Sequence, residues 1–273
     1  ELVSGLCKDG SLAASAIMTT DTVKKEAACT LNISGKEVTI GAIAKGSGMI
    51  EPNMGTMLSF ISTDAKISAE LLDSALREAV KVSYNRISVD GDTSTNDTVI
   101  ILANGMAENE SISSKNEDYY AFVEALKYIT IEISKMLAKD GEGATKLIEC
   151  TVNGCKNEKE GVIFAKSVIT SSLVKTAMFG ADANWGRVLC ALGYAGVDFE
   201  PEKVDVEFVS KAGTILVCKN GASVDFSEDL AKKILLEDEI TIKVNMGSGS
   251  ESVTCYGCDL TYDYVKINGD YRS

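Results

Sequence analysis

A glycine-rich segment of the chain leads into a threonine that could act as a nucleophile. Residues 45–56 read KGSGMIEPNMGT, and the apolar run MLSFI follows at 57–61. The Thr56 hydroxyl could attack the Gly55 carbonyl in an N-to-O acyl shift, which water would complete by cleaving the chain. Because glycine lacks a side chain, Gly55 leaves room for the attack and tolerates a strained backbone. Taken alone, the segment is better explained as a plain glycine-rich turn before a buried strand than as a cleavage site.

The chain contains no histidine. Ser-His-Asp and Cys-His catalytic groups, and zinc sites that use imidazole, therefore cannot be assembled from it. A threonine at an amino terminus carries its own base, because its α-amine has a reference pKa of roughly 7.7–8.0 and can accept the hydroxyl proton. The chemistry open to Thr56 is thus self-cleavage followed by acyl transfer.

The composition restricts the partners and the location of the protein. Among 273 residues, 40 acidic and 27 basic side chains give a formal net charge of -13. This charge repels phosphate backbones and anionic lipids, so we expect no nucleic acid and no membrane partner. No apolar run reaches the roughly 18–20 residues that cross a bilayer, and a signal-peptide layout is lacking, which favours a cytoplasmic location. The eight unevenly spaced cysteines predict reduced, buried thiols.

Three patterns suggest metal or nucleotide binding, but none is complete. Residues 90–97 (DGDTSTND) resemble a calcium loop, yet an EF-hand needs a carboxylate where Ile101 stands, so we predict a polar loop lining the active site. Cys255 and Cys258 form a lone CxxC without the second pair of a structural zinc site. Residues 41–47 place Lys before Gly and Ser, which is not the P-loop order. The sequence thus predicts no metal and no nucleotide loop.

Hydrophobic spacing predicts the elements that must position these residues. Helices are predicted at 66–86, with Ser68 as N-cap, and at 117–139, with Gly141 as the stop. Residues 158–178 and 184–194 also have a helical pattern. Strands are predicted at 38–40, 57–61, 99–102, 203–208, 215–217 and 240–244. Because helices and strands mix without strict alternation, an α+β layered fold is favoured, and no linker divides the chain.

Five motifs together resemble the ornithine acetyltransferase family of arginine biosynthesis. They occur in the family's order across the whole chain, which makes chance agreement a poor explanation. The motifs are AIMTTDT at 16–22, KGSGMIEPNMGTML at 45–58, SVDGDTSTND at 88–97, GADANWGR at 180–187 and DYVKINGDY at 263–271.

The resemblance implies a self-cleaving enzyme of the N-terminal-nucleophile type, with the layered helices and mixed sheets of the DmpA-like fold. It implies that residues 1–55 are the C-terminal part of an alpha piece, whose upstream part is absent from this chain, and that residues 56–273 are a beta piece beginning with the nucleophile. The pieces would associate as a heterotetramer of two alpha and two beta pieces. Thr56 would carry the acetyl group of N2-acetyl-L-ornithine to L-glutamate by a ping-pong reaction. No cofactor is implied, and whether acetyl-CoA also serves as donor stays open.

The family's substrate-contacting residues fall on six positions of this sequence: Thr19, Lys45, Thr56, Glu142, Asn268 and Ser273. Lys45 and Glu142 offer opposite charges to an amino acid that carries both a carboxylate and an ammonium group, and charge-assisted bonds orient such a molecule firmly. Ser273, the last residue given, would close the pocket with its hydroxyl and carboxylate. Taken singly, each position fits a solvated surface residue better, and the ordered set reverses that preference.

Two departures from the family pattern leave other functions open. Gly55 replaces the usual alanine, which could alter the cleavage rate. The threonine-glycine pair that supplies the family's oxyanion hole lies upstream of residue 1, so we expect the 273 residues to be part of a larger polypeptide; losing one such donor costs about 100- to 1000-fold in turnover. The alternatives are a related self-processing aminopeptidase and a non-catalytic binding protein of the same fold.

Overall fold

The computed structural model describes residues 10–51 and 57–270. These residues form two compact units. Unit 1 contains the described residues up to 85 and residues 93–140, and unit 2 contains residues 86–92 and the described residues from 141. The chain therefore passes between the units three times.

Unit 1 is built on a four-stranded sheet in the order β1-β2-β3-β4. The β1–β2 and β2–β3 pairs are antiparallel, and the β3–β4 pair is parallel. The β1–β2 turn uses Ser34 and Gly35, both at positive φ, which suits the twist of a tight hairpin. The elements are α1 (Ser11–Ala16), β1 (Lys25–Ile33), β2 (Lys36–Lys45), β3 (Leu58–Thr63), α2 (Ala69–Val82), β4 (Thr98–Ala103) and α3 (Glu117–Lys139).

The two helices predicted with capping residues in unit 1 are present, but α2 spans Ala69–Val82 and is shorter than the predicted 66–86. In α2, the Ser68 side chain accepts a hydrogen bond from Leu71 N, so it caps the helix as predicted. Helix α3 has the predicted bounds and is capped by Asn116. Its apolar stripe, including Phe122 and Leu126, is fully buried where the helix packs on β1 and β2. Because α3 lies under β2, it fixes the strand that ends at Lys45.

Unit 2 is built on a six-stranded mixed sheet in the order β10-β5-β9-β6-β7-β8. Helices α4 to α7 contribute to the hydrophobic core on this sheet. The mixture of strand directions in both units confirms the α+β class. The elements are β5 (Leu147–Cys155), α4 (Glu158–Thr170), α5 (Ser172–Phe179), α6 (Trp185–Gly193), β6 (Asp205–Ser210), β7 (Gly213–Lys219), β8 (Ala222–Ser223), α7 (Glu228–Leu235), β9 (Glu239–Asn245), β10 (Glu251–Cys258) and α8 (Tyr262–Asp270).

Two predictions for unit 2 need correction. The helical pattern at 158–178 forms two helices, because Ser171 adopts an extended conformation and its side chain accepts from Val174 N to begin α5. Cys190 is exposed instead of buried. Helix α6 turns Val188 and Ala191 into the core, and the helical period then places Cys190 on the outer face.

The other described cysteines, apart from the half-buried Cys29, are buried thiols that form no disulfide within the described residues, as predicted. Cys7 lies outside the described residues. Within the described ranges, no single helix is both long and apolar enough to cross a bilayer. Helices α4 and α5 meet that test only as a pair bent by 57°.

Candidate functional site

Lys45 lies where the glycine-rich segment begins. It is the last residue of β2, it is half-buried, and it pairs with Leu58 of β3. Residues 52–56, including Gly55 and Thr56, lie outside the described residues. Strand β3 begins two positions after Thr56. The β2–β3 pairing therefore places Lys45 beside the strand into which the predicted nucleophile leads.

The polar loop of unit 1 at 93–97 holds the backbone on both sides of residues 52–56. On one side, Thr93 Oγ1 donates to Glu51 O at 3.1 Å. On the other, Met57 N donates to Asp97 Oδ1 at 2.5 Å, and Met57 O accepts from Thr98 N at 3.0 Å. The loop that the sequence predicts to line the active site is thus bonded to both chain segments that flank the predicted cleavage position.

Thr19 lies in an exposed loop that is bonded to the segment after Lys45. Asp21 Oδ2 accepts from Thr19 N at 3.1 Å, and Asp21 Oδ1 accepts from Gly46 N at 2.7 Å. The hydroxyls of Thr20 and Ser47 are 2.7 Å apart. The structure therefore brings the segments of two predicted substrate-contacting residues, Thr19 and Lys45, together within unit 1.

Gly46 is required by this arrangement. Its φ of +146° lies in a region that L side chains rarely adopt, and a Cβ at this position would lie 2.9 Å from Ile50 Cδ1. The glycine thus lets the backbone leave β2 with its N–H directed at Asp21.

A buried cluster of three charges supports the Thr19 loop. The Lys25 ammonium contacts Asp21 Oδ1 at 2.7 Å and Asp140 Oδ2 at 2.5 Å, and the three side chains are 0%, 0% and 5% exposed. Asp140, the residue after α3, also accepts from Thr22 N, Val23 N and the Thr22 hydroxyl. The cluster therefore joins the loop, the start of β1 and the end of α3.

The hydrogen bonds to Asp21 determine its protonation. Burial alone would raise the pKa of this carboxyl, but the N–H groups of Gly46 and Thr19 and the Lys25 ammonium together lower the pKa below its ordinary value of 3.8. Asp21 is therefore ionised at neutral pH. Sequence reasoning did not single out this cluster, although Asp21 stands inside the AIMTTDT motif.

Unit 2 brings together the two other described site residues. Asn268 Nδ2, on the exposed helix α8, donates to Glu142 Oε2 at 3.0 Å and to Tyr264 O at 3.1 Å. Ser273 lies outside the described residues. Thr261 Oγ1 donates to Gly143 O at 2.6 Å and ties the start of α8 to the Glu142 segment. The pairing of Glu142 with Asn268 therefore has a geometric basis.

Gly143 and Tyr264 shape the surroundings of Glu142. Gly143 has a φ of +69°, and a Cβ there would lie 2.5 Å from Tyr264 N. The Tyr264 hydroxyl donates to Asp90 Oδ2 at 3.4 Å. Burial, followed by the charges of Asp90 and Asp92, raises the pKa of Tyr264 to about 12, so the phenol is neutral at physiological pH. The sequence analysis did not single out Tyr264, although it stands inside the DYVKINGDY motif, four residues before Asn268.

The two units offer opposite charges. In unit 1 the charged group at the end of β2 is the Lys45 ammonium, and in unit 2 the group beside Asn268 is the Glu142 carboxylate. Such groups can bind a carboxylate and an ammonium, respectively. Across residues 10–51 and 57–270, no three Cys, Asp or Glu side chains cluster as metal ligands.

Comparison with known proteins identifies the family. The ArgJ family model matches residues 1–273. The chain is 57% identical over 265 residues to arginine biosynthesis bifunctional protein ArgJ 1 of Clostridium acetobutylicum, covering 97% of this chain and 65% of that protein. It is 50% identical over 273 residues to arginine biosynthesis bifunctional protein ArgJ of Thermotoga neapolitana, covering 100% of this chain and 69% of that protein. The chain thus spans about two thirds of the length of these curated relatives.

A solved structure supports the same assignment. The crystal structure of arginine biosynthesis bifunctional protein argJ from Bacillus halodurans matches with a TM-score of 0.75 and 46% identity, over 79% of this chain and 100% of that chain. The fold and the motifs therefore agree with the resemblance found in the sequence, and the chain belongs to the ArgJ family.

Proposed function

We propose that the protein is a glutamate N-acetyltransferase that moves the acetyl group of N2-acetyl-L-ornithine to L-glutamate. The observation that carries the proposal is the match of the ArgJ family model to the whole chain. It is supported by the name of the relatives, arginine biosynthesis bifunctional protein, at 50–57% identity. Lys45 and Glu142 carry the opposite charges that such a substrate requires.

Self-cleavage between Gly55 and Thr56 is the first step of the proposal. It would divide the chain into a piece ending at Gly55 and a piece spanning residues 56–273. The second piece comprises 218 of the 273 residues, about 80%, and the Bacillus halodurans chain is matched in full over 79% of this chain. A solved chain of that length is what a mature second piece would give. The bonds of Thr93 to Glu51 and of Asp97 to Met57 hold the described backbone on either side of residues 52–56.

Acyl transfer follows at the new amino terminus. The Thr56 α-amine takes the hydroxyl proton while the oxygen attacks the acetyl carbonyl of N2-acetyl-L-ornithine. The amide C–N bond then breaks, and the departing amine receives that proton, which leaves an acetyl ester on Thr56. The amine of glutamate attacks this ester and regenerates the hydroxyl. The two transfer steps are balanced in protons and electrons and require neither an oxidant nor a metal.

The substrate contacts extend from the residues described above. Lys45 would pair with the substrate carboxylate and Glu142 with the ornithine side-chain ammonium. Thr19, Asn268 and Ser273 would add hydrogen bonds. The oxyanion donors implied by the resemblance lie upstream of residue 1 in the family pattern, so the experiments use the full-length gene product.

The remaining parts of the proposal concern cofactors and assembly. The reaction needs no cofactor, and acetyl-CoA would be a substrate if it also acetylates glutamate. The alpha and beta pieces would stay associated as a heterotetramer in the cytoplasm. Size-exclusion chromatography with denaturing electrophoresis would test this assembly: two co-eluting pieces support it, and separate elution contradicts it.

Exchange kinetics with Thr56→Ala test the function. We expect the full-length protein to cleave itself and transfer acetyl to glutamate, and the variant to do neither. Thr30→Ala, at an exposed position on β1, is the matched control and should behave as the wild type. Hydrolysis of amino-acid amides without transfer to glutamate would identify an aminopeptidase. An uncut wild-type chain that transfers nothing would identify a binding protein.

A further inference from the structure

We infer that Asp21 is a positioning residue, whose buried carboxylate holds Thr19 and Lys45 in one fixed arrangement for substrate binding. The inference rests on the proposed function, because Thr19 and Lys45 are substrate contacts only there. Asp21 would act through these two residues and would not touch the reacting atoms.

The two oxygens of Asp21 bind different parts of unit 1. Oδ2 accepts from Thr19 N at 3.1 Å. Oδ1 accepts from Gly46 N at 2.7 Å and from Lys25 Nζ at 2.7 Å. Since Gly46 directly follows Lys45, one carboxylate connects two loop segments that are 25 residues apart in sequence.

Asp140 holds the loop at Thr22 and Val23, and the link through Asp21 holds it at Thr19. Thr19 and Thr20 are exposed, and α1 has ended at Ala16. The hydroxyl pair of Thr20 and Ser47 adds a second connection, but a bond between neutral groups is roughly half as strong as one to a carboxylate. Asp21 is therefore the main polar anchor between the two segments.

An amide at position 21 would not replace the carboxylate. Asparagine has one acceptor oxygen, whereas the three donors Thr19 N, Gly46 N and Lys25 Nζ approach both oxygens of Asp21. The amide NH₂ would face a donor at one of these positions. Asp21→Asn therefore keeps the size of the side chain and breaks at least one of the two backbone links.

This change should act on binding more than on chemistry. Thr19 and Lys45 are proposed to contact the bound substrate, whereas the nucleophile and its base both belong to Thr56. Loss of one charge-assisted hydrogen bond corresponds to roughly a 10-fold or larger rise in KM for N2-acetyl-L-ornithine, with kcat reduced by less than about threefold. Self-cleavage at Gly55 should proceed as in the wild type.

The test compares three variants of the full-length gene product. Asp21→Asn is measured for self-cleavage by intact mass, and for KM and kcat in acetyl transfer to glutamate. Asp64→Asn is the matched control, because Asp64 Oδ1 accepts one backbone N–H, that of Thr39, at 2.7 Å on the same strand β2. Asp21→Glu keeps the charge opposite Lys25 and displaces the oxygens by one methylene, so it covers the case in which Asp21→Asn does not fold.

The inference predicts a raised KM with nearly unchanged kcat in both Asp21 variants, and wild-type constants in Asp64→Asn. A wild-type KM in folded Asp21→Asn or Asp21→Glu would overturn it. An equal rise in KM for Asp64→Asn would also overturn it, since the loss of any carboxylate that accepts a backbone N–H would then raise KM. Failure of the proposed function looks different: the wild-type protein itself would transfer no acetyl group.

Discussion

Replacement of Lys25 by methionine should destabilise unit 1 strongly at neutral pH. The Lys25 ammonium lies between the Asp21 and Asp140 carboxylates, at 2.7 and 2.5 Å, and all three side chains are almost completely buried. Methionine fills a similar volume but leaves two carboxylates without their counter-ion. Removing one partner of a buried ion pair costs about 3–5 kcal/mol, because the remaining charge is desolvated and uncompensated. We predict a loss of that size in the free energy of unfolding.

The loss should depend on pH in a defined direction. In the wild type the pKa of Asp21 is below 3.8, so its stabilising contribution is complete above that pH and disappears as the pH falls through the lower folded-state pKa. In Lys25→Met the lysine no longer lowers this pKa, whereas the N–H groups of Gly46 and Thr19 still do, so the pKa of Asp21 lies higher in the folded variant than in the folded wild type. The carboxyl of the variant therefore takes up its proton at a higher pH than that of the wild type. The difference in stability between variant and wild type should therefore shrink as the pH is lowered from 7 towards 4.

Thermal unfolding monitored by circular dichroism at several pH values measures this effect. A loss of about 3–5 kcal/mol corresponds to a fall in Tm of roughly 6–20 °C for a protein of this size. Lys24→Met is the matched control, because Lys24 is 45% exposed and its pair with Glu26 contributes about 0–1 kcal/mol. Equal Tm values for the two variants, or a difference that grows on acidification, would refute the reasoning.

Two further predictions concern unit 2. Gly143→Ala should cost about 1–3 kcal/mol or more in stability and weaken substrate binding, because its φ is +69° and the new Cβ would lie 2.5 Å from Tyr264 N. Gly35→Ala has a similar φ of +79° with no atom within 4 Å, so thermal unfolding should show a smaller loss, and equal losses would contradict the clash. Cys190 should react with a thiol reagent in the native protein, whereas Cys258, which is buried with its pKa raised by burial, should react only after unfolding. Peptide mapping of the labelled protein checks this, and native labelling of Cys258 would contradict it.

The sequence predicted the elements whose burial pattern is simple. Helix α3 has a long apolar stripe at three- and four-residue steps and a clear stop, and its predicted bounds are those of the structure. Strand β1 was not predicted, because its alternation is interrupted and it begins with a buried lysine, which a pattern of apolar residues cannot anticipate. The break at Ser171 was missed for a related reason, since the apolar pattern continues through both helices and a single capping serine separates them.

The division into two units could not be predicted from the sequence pattern either. A linker is recognised when the chain leaves one domain once, through a polar or proline-rich segment. Here the chain crosses near residues 85, 92 and 140, and the crossing points are short and ordinary in composition. The expectation that no linker divides the chain therefore did not reveal the two units.

The site was predicted as a set of motifs, and its supporting contacts were not. Lys45, Thr19, Glu142 and Asn268 were identified through resemblance to the family, and their roles in substrate binding remain predictions. The cluster of Asp21, Lys25 and Asp140 depends on contact between residues 115 positions apart, which one sequence cannot indicate.

Peptide mass spectrometry can detect an acetyl group carried by Thr56. The full-length protein is incubated with N2-acetyl-L-ornithine, quenched in acid and digested, and a second sample receives L-glutamate before quenching. We expect one acetyl group on the peptide that begins with Thr56 in the first sample, and its loss in the second. Transfer of acetyl to glutamate without any acetylated Thr56 peptide would show that Thr56 is not the carrier.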